Sequence, residues 1–224
     1  MTSLTSARVT VFRGGAALVL GLVLAGCVAP EKPFLAPNFH ALAPRRVAVL
    51  PPENATAQVA GATLLQYLMG QHLPSHGYWV RDVNETLATL ESKGAGLTIG
   101  GRLGSWADGR WLFPARPSPE QLCQDLDVDG LFVGKVDTYD YVELVFARTR
   151  VVQCKWMLVD RKGTPLWFAS GRGQTAEVDD KGKEGLKAAA ANVAIRAIED
   201  AQGIPLFAEA QASIQDCLAS LPHP

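Results

Sequence analysis

The stretch VVQCKWMLVDRKGTPLWFASGRGQ, residues 151–174, decides the fold. Its first half alternates apolar and polar residues, which is the period of a strand with one buried face. That face carries Val152, Cys154, Trp156 and Leu158. RKGT, residues 161–164, is a turn, and PLWFASGRGQ returns antiparallel. The stretch therefore predicts a β-hairpin with Cys154 in the core.

Patterns on both sides predict that this hairpin belongs to a larger mixed sheet. RVAVL at 46–50 and YWVRD at 78–82 are short strands, and a helical pattern follows each of them. DGLFVGKVDTYD at 129–140 is a further strand, and the chain from 141 to 160 is two strands or one long bent ribbon. Further helices are predicted after the cap Ser118, over 182–201 and after residue 205. We expect the α/β or α+β class, with a mixed β-sheet and packed helices.

The chain begins like a secretion signal that ends in a cysteine. Arg8 and Arg13 precede GGAALVLGLVLAGC, residues 14–27. This uncharged run is shorter than the roughly 20 residues that a membrane-spanning helix needs. A positive leader, a short apolar run and small residues before a cleavage point are typical of a signal peptide. Leu24-Ala25-Gly26-Cys27 resembles a bacterial lipobox, in which Cys27 is acylated and becomes the new N-terminus. A plain signal peptide with an unrelated cysteine is the alternative.

A lipobox implies a protein anchored to the membrane by acyl chains on Cys27. Each buried methylene contributes about 0.8 kcal/mol, so more than one chain gives a stable anchor. Val28 stands where an Asp favours the inner membrane in enterobacteria. We therefore expect a lipid anchor in the outer membrane, on the periplasmic side, with the cell surface as the alternative.

Cleavage after the signal peptide, residues 1–26, leaves 198 of the 224 residues. Loss of two arginines leaves 19 Lys and Arg against 22 Asp and Glu, a net charge of about −3. This balance argues against nucleic acid as a partner, because such proteins carry a basic patch. Four prolines in 27–45 predict an extended, lipidated tether, followed by a domain over 46–205 and a helical tail over 206–224.

Three cysteines remain in the mature chain besides Cys27. The periplasm is oxidising, so a disulfide is allowed there. Since Cys154 is assigned to the core, Cys123 and Cys217 are the better candidates for a bridge that ties the tail to the body. Free thiols are the alternative, because spacing alone does not determine pairing.

Residues 92–117 are rich in glycine and predict an irregular surface insertion. Trp106 and Trp111 within it are candidate protein-interaction residues, because tryptophan is enriched in interface hot spots. The alternative is that both rings are tucked into the body. The glycines match neither the dinucleotide-binding fingerprint nor the P-loop.

Residues that could perform chemistry do not form a recognisable set. His72 and His76 are four apart, but Pro74 interrupts the helix that would align them for a metal. Ser170 lacks the flanking glycines of a nucleophile elbow. The carboxylates near strand ends could serve an enzyme or could form a polar rim; they are Asp137, Asp140 and Glu143. No catalytic residue, metal or cofactor is expected.

Four segments also resemble one protein family. They are VAVLPPENAT (47–56), HLPSHGYWV (72–80), RPSPEQLCQDLDVDGLFVGKVDTYD (116–140) and LVDRKGTPLWFASGRG (158–173). Together they cover roughly residues 46–205 and are similar to an uncharacterised bacterial lipoprotein family that includes a meningococcal surface lipoprotein. The resemblance implies a fold similar to the N-terminal domain of TolB, with a core related to the curli-secretion lipoproteins. It also implies other envelope lipoproteins as partners, and it supplies no catalytic residues.

These observations together predict a non-catalytic envelope lipoprotein that binds other proteins, as a component of a cell-envelope or secretion-related assembly. One alternative is an envelope enzyme or ligand-binding lipoprotein that acts on cell-wall or lipid material. Another is a self-assembling subunit, a homo-oligomer like the curli-secretion relatives.

Overall fold

The structure is a computed structural model that describes residues 31–94, 103–144, 147–178 and 206–224; side chains at 142–148, 177 and 178 are not described. Cys27, its lipobox and the helix predicted over 182–201 lie outside the described residues. The body that contains the sheet runs from Lys32 to Pro224. Within the described ranges, every helix is too short or too polar to cross a bilayer.

Strands and helices alternate in the first part of the body and long strands dominate the second. The strands are β1 (Phe34–Leu35), β2 (Arg46–Val49), β3 (Glu53–Asn54), β4 (Trp79–Val80), β5 (Ser105–Ala107), β6 (Arg110–Leu112), β7 (Gly130–Leu144), β8 (Ala147–Asp160) and β9 (Pro165–Val178). The helices are α1 (Phe39–Leu42), α2 (Val59–His72), α3 (Val83–Ser92), α4 (Pro119–Leu126) and α5 (Phe207–Leu218), and a 3-10 turn, Leu73–His76, extends α2.

The main sheet has seven strands and is mixed. Its order is β1-β9-β8-β7-β2-β4, and β3 pairs with β7 beyond the end of β2. The long strands β7, β8 and β9 are antiparallel, whereas β2 and β3 run parallel to β7 and β4 runs parallel to β2. The predicted mixed α/β sheet is confirmed, and so is the hairpin across residues 161–164.

The sheet separates two hydrophobic cores. One core joins its first face to α2 and α5, and the other joins the opposite face to α4, Leu90 of α3 and the β5–β6 hairpin. Strand alternation explains the division, because Val47 and Val49 enter the first core while Ala48 and Leu50 enter the second. Each core is therefore built by one face of the same strands.

Helix α5 lies unusually close to β9. A Cβ at Gly171 would collide with the carbonyl oxygen of Ser213, and one at Gly173 would collide with that of Glu209. Missing side chains on β9 thus provide the space for the helix backbone. At the same contact, Arg150 of β8 forms a buried ion pair with Glu209, with 3.2 Å between Nε and Oε1.

Residues 32–45, here called the N-terminal strap, pack on the body. β1 pairs antiparallel with β9, the Ala36 amide donates to the Leu166 carbonyl at 2.9 Å, and Phe39 is 1% exposed in the first core. Pro44 then contacts Gly130 at the start of β7. The predicted tether over 27–45 is therefore wrong from residue 32 onward, because burial of Phe39 and pairing with β9 hold this segment.

The other boundary corrections are local. The body includes the tail, because α5 and its neighbours supply Ala210, Ile214 and Leu218 to the first core. The predicted cap of α4 is confirmed, since the Ser118 hydroxyl accepts from the Gln121 amide at 3.2 Å. α3 is capped by Asp82, whose carboxylate accepts from the amides of residues 84 and 85.

Candidate functional site

The predicted insertion contains an ordered hairpin within its described part, residues 103–117. Strands β5 and β6 pair Trp106 with Trp111 across a turn at Asp108 and Gly109, both of which have positive φ. Asp-Gly is the preferred sequence for such a two-residue turn, so a local signal for this hairpin was present and was missed. The expectation of an irregular segment is wrong for residues 105–112.

The two tryptophans occupy different environments. Trp111 is 7% exposed and belongs to the second core, so it does not offer a ring to a partner. Trp106 is half-buried; its ring lies 5.2 Å from the Phe168 ring, and the Lys155 ammonium lies 5.4 Å from its centroid. The interaction prediction is therefore wrong for Trp111 and remains a prediction for Trp106.

A polar cluster holds the hairpin to the sheet. The Trp106 amide donates to the Glu53 carboxylate at 2.6 Å. The register of β7 and β8 shifts between Val136 and Thr138, which leaves Asp137 as the extra residue of a β-bulge. The Asp137 carboxylate forms ion pairs with the ammonium groups of Lys135, at 3.5 Å, and Lys155, at 3.1 Å. This cluster is an ion-pair network that fastens one element to another.

Of the three carboxylates that an enzyme could use, the structure describes two, and each has a separate local partner. Asp137 is engaged by two lysines, whereas the exposed Asp140 accepts from the Tyr141 amide at 2.7 Å. The side chain of Glu143 lies outside the described ones. Ser170 lies in the middle of β9 and not at a strand-to-helix elbow.

The three described cysteines are buried free thiols. Cys123 of α4 lies in the second core and Cys217 of α5 in the first, so the sheet separates them. The predicted Cys123–Cys217 bridge is wrong for this reason. Cys154 is in the first core, as its strand alternation predicts, with its sulfur 3.5 Å from the Ser213 hydroxyl.

Burial makes these thiols poor nucleophiles. Loss of solvent raises the pKa of Cys123 from 9.0 to about 12 and that of Cys154 from 9.0 to about 11. Burial raises the pKa of Cys217 in the same way. Because the thiolate is the reactive form, none of the three is suited to nucleophilic catalysis.

The histidines do not gather ligands around a metal. His76 stacks on His223 of the C-terminal segment, with ring centroids 6.1 Å apart, at the end of α2 that carries His72. Throughout the residues that the structure describes, no three His, Cys, Asp or Glu side chains are grouped closely enough to bind a metal ion.

The free side of β7 offers a surface that the sequence did not reveal. Residues Glu53 to Ala55 pair with this side of the strand only as far as Val136. From residue 140 to 144, no described strand pairs with that side, and we call this segment the distal ribbon edge. Tyr141, on that edge, is 45% exposed. An open edge of this kind can accept a strand of a partner.

No protein-family model and no curated protein matches the chain. Among solved structures it is similar to lipoprotein GNA1162 from Neisseria meningitidis, at 22% identity and a TM-score of 0.48, over 70% of this chain and 99% of that one. It is also similar to the PelC dodecamer from Paraburkholderia phytofirmans, at 18% identity and a TM-score of 0.42, over 65% of this chain and 81% of that one. The LpoB C-terminal domain from Escherichia coli is similar at 12% identity and a TM-score of 0.37, over 61% of this chain and 92% of that one.

The similarity to GNA1162 agrees with the sequence resemblance to a bacterial lipoprotein family. At 12–22% identity, these similarities concern the fold alone.

Proposed function

We propose that this chain is a lipid-anchored protein of the bacterial outer membrane that faces the periplasm and binds other proteins. In this role it is a non-catalytic component of a cell-envelope or secretion-related assembly. The observation that carries the proposal is Leu24-Ala25-Gly26-Cys27 at the end of the uncharged run, residues 14–27. Acyl chains on Cys27 supply the anchor, and Val28 favours the outer membrane.

The described residues support a binding role over a catalytic one. Asp137 is held by Lys135 and Lys155, and the buried thiols have raised pKa values. A general acid or base needs a proton that it can exchange with a substrate, and a nucleophile needs access to one. These groups instead pack or pair within the protein.

The distal ribbon edge is the surface we assign to partner proteins. Its backbone donors and acceptors can form a ladder with an added strand, which gives affinity without a pocket. Tyr141 adds an exposed aromatic side chain, a residue type that is enriched at interfaces.

Photocrosslinking in cells tests this assignment. The crosslinking amino acid p-benzoylphenylalanine replaces Tyr141 on the distal ribbon edge, or Tyr67 on the outer side of α2 as a control with the same 45% exposure. We expect a reproducible adduct from position 141 and much less from position 67. An adduct of twice the chain's mass identifies a second copy as the partner. Monomer alone at position 141, in cells grown under several conditions, contradicts the assignment.

A further inference from the structure

Very little chain separates the proposed acylation site from the folded body. The body begins at Lys32, five residue steps after Cys27. Five steps of fully extended chain span at most roughly 18 Å. The headgroup layer on one side of a bilayer is about 5–8 Å thick, as the difference between the full and the hydrocarbon thickness shows. Lys32 is therefore held at or near the membrane surface.

The strap does not lengthen this connection while the protein is folded. Its release would expose Phe39, which is 1% exposed in the first core. It would also break the pairing of β1 with β9 and the hydrogen bond from Ala36 to Leu166. Folding thus fixes the point of attachment at the start of the strap.

Exposed apolar side chains are concentrated at this attachment point. Across the described residues, eight large hydrophobic side chains are exposed, and three of them fall within nine residues of the strap. These are Phe34, Leu35 and Leu42, at 44%, 46% and 47% exposure. Because Phe34 pairs with Phe168 and Leu35 with Trp167, these two side chains leave opposite faces of the sheet at its β1 edge. A surface laid against that edge meets both, and exposed apolar side chains at one place mark a contact with a protein or a membrane.

The sequence around β1 disfavours a protein strand as the occupant. The strand has only two residues, and Pro33 and Pro37 stand on either side of it. Proline lacks an amide hydrogen, so it blunts an edge against strand addition. Apolar side chains on a blunted edge match the apolar boundary of a bilayer, which requires no ladder of hydrogen bonds.

Resting on the proposed acylation of Cys27, we propose that Phe34, Leu35 and Leu42 contact the bilayer at the boundary between headgroups and acyl chains. The strap side of the body then lies against the membrane. The distal ribbon edge lies on β7, three strands from β1 in the sheet order and at least six residues beyond Phe132, which is level with Leu35. Lipid is thus the ligand of the strap surface, and the acyl anchor and the strap act as two parts of one membrane contact.

Val59 provides a control position far from the strap. Leu35 is aligned through Trp167 and residue 158 with Phe132 of β7. Val59 starts α2, where Gly61 would place a Cβ 2.6 Å from the ring of Tyr139. Seven residue steps along β7, from Phe132 to Tyr139, separate the two levels, which is at most about 23 Å. Val59 is 76% exposed, so a probe there is fully accessible.

Lipid-borne quenching of a fluorophore tests the contact. The full lipidated protein, with Leu35→Cys or Val59→Cys labelled by a thiol-reactive fluorophore, is reconstituted in phosphatidylethanolamine–phosphatidylglycerol vesicles that contain nitroxide-labelled lipid. The three native thiols are buried, so the introduced cysteine is the reactive one. We expect quenching several-fold stronger at position 35 than at 59, and a marked decrease at position 35 when Phe34→Asp is added. Equal quenching at both positions overturns the proposal.

Two further readouts separate the causes of a negative result. Flotation of the unlabelled protein with the vesicles comes first; a chain that does not float lacks the anchor, which overturns the proposed function and the strap contact together. If the protein floats and the probe at 35 is shielded from aqueous iodide but not quenched by nitroxide lipid, protein covers the strap. That outcome overturns the lipid contact and leaves the anchor in place.

Discussion

Replacement of Phe39 by alanine distinguishes a packed strap from the extended tether that the prolines predict. Phe39 lies in the middle of the strap and inserts its ring into the first core, where it is 1% exposed. If residues 32–45 were a solvated tether, the same change would have almost no effect on stability. The free energy of unfolding of Phe39→Ala therefore reports directly on the strap.

The expected cost follows from the area that the ring buries. Truncation of phenylalanine to alanine removes about 150 Å² of buried apolar surface, which at about 25 cal/mol per Å² is about 4 kcal/mol. Measured Phe→Ala changes in cores cost about 3–5 kcal/mol. The loss in the free energy of unfolding cannot exceed the cost of releasing the whole strap, because the variant can detach the strap and keep the rest of the core folded. We predict a loss of about 3–4 kcal/mol, or a decrease in Tm of roughly 6–16 °C for a domain of this size.

Urea unfolding of the mature chain with Cys27→Ser, which carries no acyl chains, measures this loss. Tryptophan fluorescence reports on the same core, because Trp156 and Trp167 lie within it. Leu42→Ala is the matched control; its side chain is 47% exposed, so we expect less than about 1 kcal/mol. A lower m-value together with the lower midpoint indicates that the strap has detached in the native state.

Equal, small effects of Phe39→Ala and Leu42→Ala would refute the reasoning. The strap would then be a tether, the body would stand away from the membrane, and the proposed contact of Phe34 and Leu35 with lipid would lose its basis.

Two other predictions concern the interior. Gly171→Ala should destabilise the protein by about 1–3 kcal/mol, because the new Cβ displaces α5. The control Arg172→Ala, at the exposed neighbouring residue, should change stability by less than about 0.5 kcal/mol. Thermal unfolding compares the two variants, and equal effects contradict the close approach of α5. The native protein should leave Cys123, Cys154 and Cys217 unlabelled by a thiol reagent at pH 8, and urea should expose all three. Burial raises the pKa values of these thiols in the folded protein. Their contribution to the free energy of unfolding should therefore be complete below pH 9 and should be lost as the pH rises toward 11 and 12. A free energy of unfolding that does not change over this range contradicts buried thiols.

Local sequence signals predicted the central part of the fold. The alternation at 152–158 and the turn at 161–164 indicated the hairpin, because a strand with one buried face has a period of two. Ser118 followed by Pro119 indicated the start of α4, because both residues satisfy the needs of a helix N-terminus. Each of these signals is contained within a few residues, so no knowledge of distant contacts was needed.

The strap could not be predicted because its structure depends on distant residues. β1 has two residues and α1 has four, so neither produces a periodic pattern, and the three prolines of the strap favour an extended chain. What holds the strap is β9, more than 120 residues later. The available hint was composition: Phe34, Leu35 and Phe39 are unusual in a solvated linker.

The cysteine pairing failed for a related reason. The two-core arrangement places α4 and α5 on opposite faces of the sheet, and nothing in the spacing of Cys123 and Cys217 reveals which face each helix covers. A local signal did favour core positions, since Cys123 follows Leu122 and precedes Leu126 at helical spacing. The distal ribbon edge likewise depends on where β3 stops pairing with β7, which is a property of the whole sheet.

Metabolic labelling with an alkyne fatty acid tests the lipid anchor most directly. Cells that produce the wild-type chain or Cys27→Ser are labelled, and the purified protein is examined for the probe and for its distribution between membrane and soluble fractions. We predict a labelled, membrane-bound wild type, and a Cys27→Ser chain that lacks the probe and leaves the outer-membrane fraction. An unlabelled wild type, or the same distribution for both chains, contradicts the account.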